Sequence, residues 1–205
     1  MPFLSPTSQA AAIILGSLLG FLLGSVPFGY LLVKLRTGED VRSSGSGNTG
    51  ATNVGRVLGR KAGLAVLVAD ALKGLIAVLL ASLIGPGASA GAAFGAVAGH
   101  CYSPWLRGRG GKGVATMFGA FAILAPVSAV LATIVLAATA ALTRTMSAGS
   151  LAAAVALVAS SWWLSMPTEV TLAALLSGLL VIWRHRGNIQ RLRRGDEHRF
   201  GEKRS

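Results

Sequence analysis

The run GVATMFGAFAILAPVSAVLATIVLAATAALT, residues 113–143, carries no charge and is interrupted once by proline, at Pro126. Whether that proline kinks one helix or parts two sets the number of spans. As one kinked helix it crosses a membrane once. As two short helices, 113–125 and 127–143, hinged at Ala125-Pro126, it crosses and returns. A spanning helix needs about 17–25 apolar residues, fewer where the bilayer thins, so length alone admits both readings. Uncharged stretches flank it at 3–33, 74–99 (broken by Gly85-Pro86-Gly87), 145–168 and 170–183. Split at Pro126, the chain has seven helices, at about 10–33, 62–84, 88–103, 113–125, 127–143, 148–164 and 168–184.

The basic residues choose between the counts. With seven spans, Lys34, Arg36, Arg42, Arg56, Arg60 and Lys61 share a side with Arg107, Arg109 and Lys112, with Arg144, and with Arg184, Arg186, Arg191, Arg193, Arg194, Arg199, Lys203 and Arg204. The opposite loops, near Gly85-Pro86, Pro126 and Pro167, hold no Lys or Arg. Cytoplasmic loops of membrane proteins carry the excess of Lys and Arg. The expected fold class is therefore all-α: a polytopic membrane bundle of seven helices, N-terminus outside and C-terminus cytoplasmic. It is read as one domain over 1–205, with roughly 185–205 as a basic cytoplasmic tail.

Composition agrees. The 205 residues are 53% hydrophobic and 13% charged, with mean hydropathy +0.64. Soluble domains are about 25% charged. The formal charge of +12 admits nucleic acid or an anionic membrane and substrate as partners. Because the charge follows topology, no nucleic-acid partner is expected. Cys101 is the sole cysteine and forms no internal disulfide. Residues 1–9 lack a basic residue, so the first apolar run reads as a retained helix rather than a cleaved signal.

Three polar segments, all cytoplasmic in this topology, carry the candidate chemistry. Residues 43–56 read SSGSGNTGATNVGR. Glycines let the backbone turn N–H groups toward one point, and Arg56 offers a planar fork for phosphate oxygens. A flexible solvated loop has the same composition. Residues 99–116 contain Gly110-Gly111-Lys112-Gly113 at the entry to a helix. That is compatible with an anion site at a helix N-terminus, or with a basic turn against lipid headgroups. It is not a nucleotide-binding Walker loop, which needs Ser or Thr after the lysine. Residues 184–197 follow the last helix directly, and His185 and Asn188 sit three apart, on one face of any helix there. A polybasic tail is the alternative for the arginines. Ser147 and Ser150 share the same spacing, as caps or as ligands. Asp70 and Lys73 lie within an apolar helix, where ionisable groups are paired or functional. They read as a brace, or Lys73 reaches the polar site. The chain has no His followed by Asp at the fifth position, no Gly-x-Ser-x-Gly elbow, no cysteine cluster and no HExxH.

Taken together, Ser46-Gly47-Asn48-x-Gly50-Ala51-Thr52-Asn53, Gly99-His100 through Gly110-Gly111-Lys112-Gly113-Val114-Ala115-Thr116, and His185-Arg186-x-Asn188-Ile189-x-Arg191-Leu192-x-x-Gly195-x-Glu197 resemble the motifs of the acyl-phosphate:glycerol-3-phosphate acyltransferases. The resemblance covers nearly the whole chain. Thr49 departs from it where proline or an apolar residue is common, as do Leu106 and Arg109 near phenylalanine positions. It implies a seven-helix enzyme of the bacterial inner membrane with its active site at the cytoplasmic face. The reaction it implies turns acyl phosphate and glycerol 3-phosphate into 1-acyl-glycerol 3-phosphate and inorganic phosphate, without metal, nucleotide, other cofactor or obligatory protein partner.

On that resemblance, Ser46, Gly47, Asn48, Thr52, Asn53 and Arg56 are expected to hold the acyl phosphate. Lys112, His185 and Asn188 are the expected catalytic residues and position glycerol 3-phosphate. His100, Gly110, Gly111, Ser147 and Ser150 complete the expected substrate-binding set. The proton acceptor is either His185 or the leaving phosphate. Two other classes compete. A small-anion transporter needs a polar site at mid-depth, where only Asp70 and Lys73 lie. A scaffold docking its basic tail on anionic lipid would tolerate scrambling of the glycine loops.

Overall fold

The computed structural model describes residues 6–200, and among these the regular structure is helical, without a strand. Lys203 and Arg204 of the expected basic tail lie outside the described residues. The chain divides into two compact units, meeting in sequence between Leu124 and Ala125. The first unit holds α1 (Pro6–Gly24), α2 (Phe28–Thr37), α3 (Ala51–Leu58), α4 (Arg60–Ala81), α5 (Ala88–Cys101) and α6 (Val114–Leu124). The second holds α7 (Pro126–Thr143), α8 (Met146–Trp163), α9 (Thr168–Arg184) and α10 (Arg186–Arg194). Short 3-10 turns occupy Val41–Ser43 and Pro104–Leu106.

Pro126 separates two helices rather than kinking one. α6 ends at Leu124, Ala125 leaves the helical conformation (φ −146°, ψ 68°), and Pro126 opens α7. The first position of a helix suits proline, whose missing N–H would have no partner there. The first expected helix needs a correction. It is not continuous over 10–33 but breaks at residues 25–27, between α1 and α2. Pro27 offers no N–H and crowds the preceding turn, while the Ser25 hydroxyl donates to the Leu22 carbonyl at 2.7 Å. Two further corrections are additions. Part of the first polar segment is the helix α3, and the start of the basic tail is the helix α10.

Among the described residues, four segments are long and apolar enough to cross a membrane: Ser8–Thr37, Arg60–Ala81, Pro126–Thr143 and Met146–Trp163. α5 and α9 are shorter, at 14 and 17 residues. Large apolar side chains stand exposed along these helices, among them Ile14, Leu18 and Leu22 on α1 and Leu64, Leu72 and Leu79 on α4. Water would penalise such faces, and hydrocarbon accepts them.

The first unit is built on a seam of backbone against backbone. Gly16, Gly20 and Gly24 of α1 lie against Ala88, Ala92 and Ala96 of α5, and a Cβ on any of these glycines would collide with the facing carbonyl. The relation is reciprocal, since Gly91, Gly95 and Gly99 of α5 lie against the carbonyls of Ile13, Ser17 and Phe21. Spacing by four on both helices keeps each row on one face. A second seam joins α4 to α6, with Gly74 on the Thr116 carbonyl and Gly119 on the Ala71 carbonyl. Close approach of backbones leaves little play, so the polar segments at the helix ends start from fixed points.

Candidate functional site

The first polar segment is a folded loop. Val41 and Val54 are buried with Val33 and Val66 in a small apolar core beneath it. Above that core Asn53 is the organiser. Its amide nitrogen donates to the carbonyls of Val41 (3.1 Å), Ser44 (3.0 Å) and Asn48 (2.8 Å), and its oxygen accepts from the Ser46 N–H at 2.7 Å. Gly45, at φ +63°, passes so close over the Asn53 oxygen that a Cβ would strike it. Asn48 turns its side-chain oxygen to the Gly50 N–H at 2.9 Å, just ahead of α3. Asn53 is therefore buried and engaged within the loop, whereas Ser46, Gly47, Thr52 and Arg56 are exposed on it. Arg42 ties the segment to the second one. Its guanidinium donates to the Leu106 carbonyl at 3.3 Å while holding Asp40, whose carboxyl this hydrogen bonding keeps below the ordinary range.

The second segment folds back on the end of α5. The Gly110 N–H donates to the Cys101 carbonyl at 3.2 Å and the Gly111 N–H to the His100 carbonyl at 3.0 Å. A Cβ on Gly110 would meet the His100 carbonyl, and one on Gly111 would meet the His100 Nε2 atom. Both glycines are thus required by the close approach. Lys112 follows, half-buried, and the Gly113 carbonyl receives the first turn of α6. The break between α1 and α2 anchors the same segment, because Ser103 Oγ donates to the Ser25 carbonyl (2.6 Å) and Trp105 Nε1 to Ser25 Oγ (2.9 Å).

Between these segments lies a buried ionic cluster. Lys73 Nζ is 2.8 Å from Asp70 Oδ1, and His100 Nδ1 is 3.5 Å from the same oxygen. Lys73 also donates to the Val26 carbonyl at 2.8 Å and lies over the Phe28 ring. A small recess is lined by Phe28, Gly29, Thr49, Asp70, Lys73, His100 and Gly110, among others. The recess brings the first segment, through Thr49, and the second, through Gly110, to one place in this unit. The i,i+3 spacing of Asp70 and Lys73 announced their pairing, whereas nothing in the spacing announced His100 as the third member.

The second unit carries the third segment. His185 is 2% exposed at the junction of α9 and α10, and its Nδ1 lies 2.7 Å from the Val181 carbonyl. A carbonyl can only accept, so Nδ1 carries a proton. Asn188 Nδ2 donates to Glu197 Oε1 at 2.7 Å, and Arg191 Nε to Glu197 Oε2 at 2.8 Å. Burial pushes the Glu197 carboxyl up. The hydrogen bond from Asn188, the neighbouring Ser147 hydroxyl, and the hydrogen bond and charge of Arg191 outweigh it and hold the carboxyl below its ordinary value of 4.5. Ser147 Oγ faces that carboxylate without regular hydrogen-bond geometry. Ser150 donates back to the Met146 carbonyl at 2.9 Å. Neither serine caps α8, whose N-cap is Thr145. Glu197 stood in the third motif without an assigned role, and the structure makes it the group that orients Asn188. Phe200 and Arg144 close the same segment through two hydrogen bonds, Phe200 N–H to the Arg144 carbonyl (2.8 Å) and Arg144 Nη2 to the Phe200 carbonyl (2.9 Å).

A family model described as glycerol-3-phosphate acyltransferase matches residues 14–195. The glycerol-3-phosphate acyltransferase of Myxococcus xanthus is 46% identical over 186 residues, covering 89% of this chain and 97% of its own. Glycerol-3-phosphate acyltransferase 1 of Deinococcus radiodurans is 46% identical over 192 residues, covering 93% and 96%. Among solved structures, PlsY (YgiH), an integral membrane glycerol 3-phosphate acyltransferase, superposes in its glycerol 3-phosphate form with a TM-score of 0.85, at 38% identity and over 95% of this chain and 96% of that one. Its lysophosphatidic acid form superposes with a TM-score of 0.84 at 36% identity, over 92% and 95%. With the family matched along most of its length and its three polar motifs folded as described, this chain belongs to the glycerol-3-phosphate acyltransferases.

Proposed function

We propose that this acyltransferase takes its acyl group from acyl phosphate and gives 1-acyl-sn-glycerol 3-phosphate and inorganic phosphate, the first acylation of bacterial phospholipid synthesis. The observation that carries the reading is the meeting, at one recess, of the glycine loop pinned by Asn53 and the Gly110-Gly111 turn that delivers Lys112. Loops of this kind bring hydroxyls and a cation within reach of phosphate oxygens, and their internal hydrogen bonds hold those groups in place. The proposed setting is a single membrane domain of seven spans in the inner membrane, N-terminus outside, with the chemistry at the cytoplasmic face. The one-sided placement of Lys and Arg supports it.

In the proposed step, the sn-1 hydroxyl oxygen attacks the acyl carbonyl carbon and the carbon–oxygen bond to phosphate breaks. The hydroxyl proton ends on the departing phosphate, which leaves as hydrogen phosphate. A mixed anhydride is already activated, so positioning and charge stabilisation suffice in place of a protein nucleophile. Ser46, Gly47, Asn48, Thr52 and Arg56 hold the acyl phosphate on a loop that Asn53 shapes. Lys112 grips the phosphate of glycerol 3-phosphate, with Ser147 and Ser150 as further polar contacts. His185, through Nε2, and Asn188, through its side-chain oxygen, orient the attacking hydroxyl.

The test is phosphate release by detergent-purified protein given palmitoyl phosphate with and without glycerol 3-phosphate. Release that requires both, with lysophosphatidate formed, is the expected result. No release from folded protein would overturn the donor assignment.

A further inference from the structure

The ionic cluster Asp70–Lys73–His100 lies behind the Gly110-Gly111 turn. All three side chains are buried, at 2%, 6% and 8% exposure. Burying a charged pair costs desolvation that its own attraction often fails to recover. A brace between helices could be made more cheaply from apolar side chains, so the polarity calls for another reason. The contacts supply one. They run from the α1–α2 break to the turn that carries Lys112, by hydrogen bond and ion pair as far as Asp70 and then by a 3.5 Å approach to His100. The Val26 carbonyl holds Lys73, Lys73 holds Asp70, and Asp70 faces Nδ1 of His100. The opposite edge of the imidazole, at Nε2, is pressed against Gly111 so closely that no Cβ fits between them. The backbone of the same residue, His100, receives the Gly111 N–H. Gly111 therefore rests on His100 twice, and Lys112 is the next residue.

From this geometry we propose that His100, oriented by the Asp70–Lys73 pair, is a positioning residue for Lys112. It sets the depth of the Gly110-Gly111 turn, and hence the point from which the ammonium of Lys112 reaches phosphate, without itself touching substrate. The proposal rests on the reading of Lys112 as the group that grips glycerol 3-phosphate. It replaces the expectation that His100 binds substrate directly, and it gives Asp70 and Lys73 a catalytic consequence beyond holding helices together.

The test is a cycle of three variants, His100→Ala, Gly111→Ala and the double variant, each purified in detergent. Melting temperature, and kcat and KM for glycerol 3-phosphate and for palmitoyl phosphate, are measured for each. Loss of a partner that orients a functional group costs roughly 10–100-fold in activity. His100→Ala is expected to show a loss of that size, chiefly as a raised KM for glycerol 3-phosphate, with KM for palmitoyl phosphate nearly unchanged. Gly111→Ala is expected to be the worst of the set, because its Cβ meets the ring. In the double variant the ring is gone and the Cβ has room, so activity should recover above that of Gly111→Ala alone. His100→Gln, which keeps a polar group toward Gly111, should restore part of the affinity for glycerol 3-phosphate.

Losses that multiply in the double variant, or equal rises in both KM values, would overturn the positioning role while wild-type turnover leaves the reaction standing. A coupled change in melting temperature with unchanged KM would reduce the cluster to a brace and overturn it as well. Wild-type protein that makes no lysophosphatidate would overturn the underlying reading and this inference with it.

Discussion

Asn188 Nδ2 donates to Glu197 Oε1 at 2.7 Å, and this bond decides which way round the buried Asn188 amide lies. The nitrogen is the atom turned toward Glu197, and the side-chain oxygen is the other. Glu197→Ala removes the acceptor that Asn188 Nδ2 uses, and it takes the partner of Arg191 Nε as well. Activity should fall by roughly 10–100-fold, as for other outer partners that orient a functional group. Glu197→Gln keeps an acceptor for Asn188 and should retain more. Equal activity in both variants would show that the orientation of Asn188 is unimportant.

The same carboxylate predicts a pH effect. Its pKa in the folded protein lies below the ordinary 4.5, so the unfolded chain takes up the proton first as pH falls. Glu197 thus contributes stability that is fully present above about pH 4.5 and is lost as pH drops through the folded value. Melting temperature followed through the acid range should show a drop in the wild type that is smaller in Glu197→Gln. Superimposable acid limbs would remove the linkage.

Lys112→Ala should nearly abolish turnover at ordinary glycerol 3-phosphate concentrations. A hydrogen bond to a charged group contributes about 1.5–3 kcal/mol, which corresponds to roughly 10–100-fold in affinity. Lys112→Arg should recover only part of it, since a planar fork does not place its donors where an ammonium does. Wild-type kinetics in Lys112→Ala would sink the assignment.

Asn53→Ala takes a donor from the Val41, Ser44 and Asn48 carbonyls and the acceptor from the Ser46 N–H, and the Val41 and Ser44 carbonyls keep one backbone N–H each. The expected outcome is a raised KM for palmitoyl phosphate with a smaller change in KM for glycerol 3-phosphate. Gly45→Ala should resemble it, because a Cβ there meets the Asn53 oxygen at a backbone conformation that disfavours side chains. Steady-state kinetics with each substrate varied in turn would check both.

Gly20→Val places a branched side chain against the Ala92 backbone. Overpacking of this kind costs typically about 1–3 kcal/mol, and here the obstacle is a main chain that cannot rotate aside. Thermal unfolding in detergent should show a clear loss, whereas Leu18→Val on the exposed face of the same helix should show little.

Much of this structure was legible in the sequence where one physical rule acts locally. Pro126 divides two helices because a proline at a helix start is at ease and one inside is not. Pro27 carries the same message, but the apolar run continues across it, and hydropathy hid the break. The loop of residues 43–56 could be read as rich in donors, yet not as a loop wrapped around Asn53. Four hydrogen bonds to one side chain depend on a backbone path that composition does not specify. His100 is the clearest case. Its pairing with Asp70 spans thirty residues of chain and exists only because α4 and α5 lie side by side. The glycine seam did leave a mark, in Gly16, Gly20 and Gly24 and again in Gly91, Gly95 and Gly99, but it takes the facing helix to show that the two rows interlock.

That seam divides α1 into two faces with unequal freedom to change. On the outer face, Ile14, Leu15, Leu18 and Leu22 need only stay apolar, and many substitutions meet that condition. On the inner face each glycine meets a carbonyl, and anything larger than hydrogen has nowhere to go. Over time the helix is free to drift along one side while the other is held fixed, so the spacing of its backbone from α5 can outlast most of its sequence.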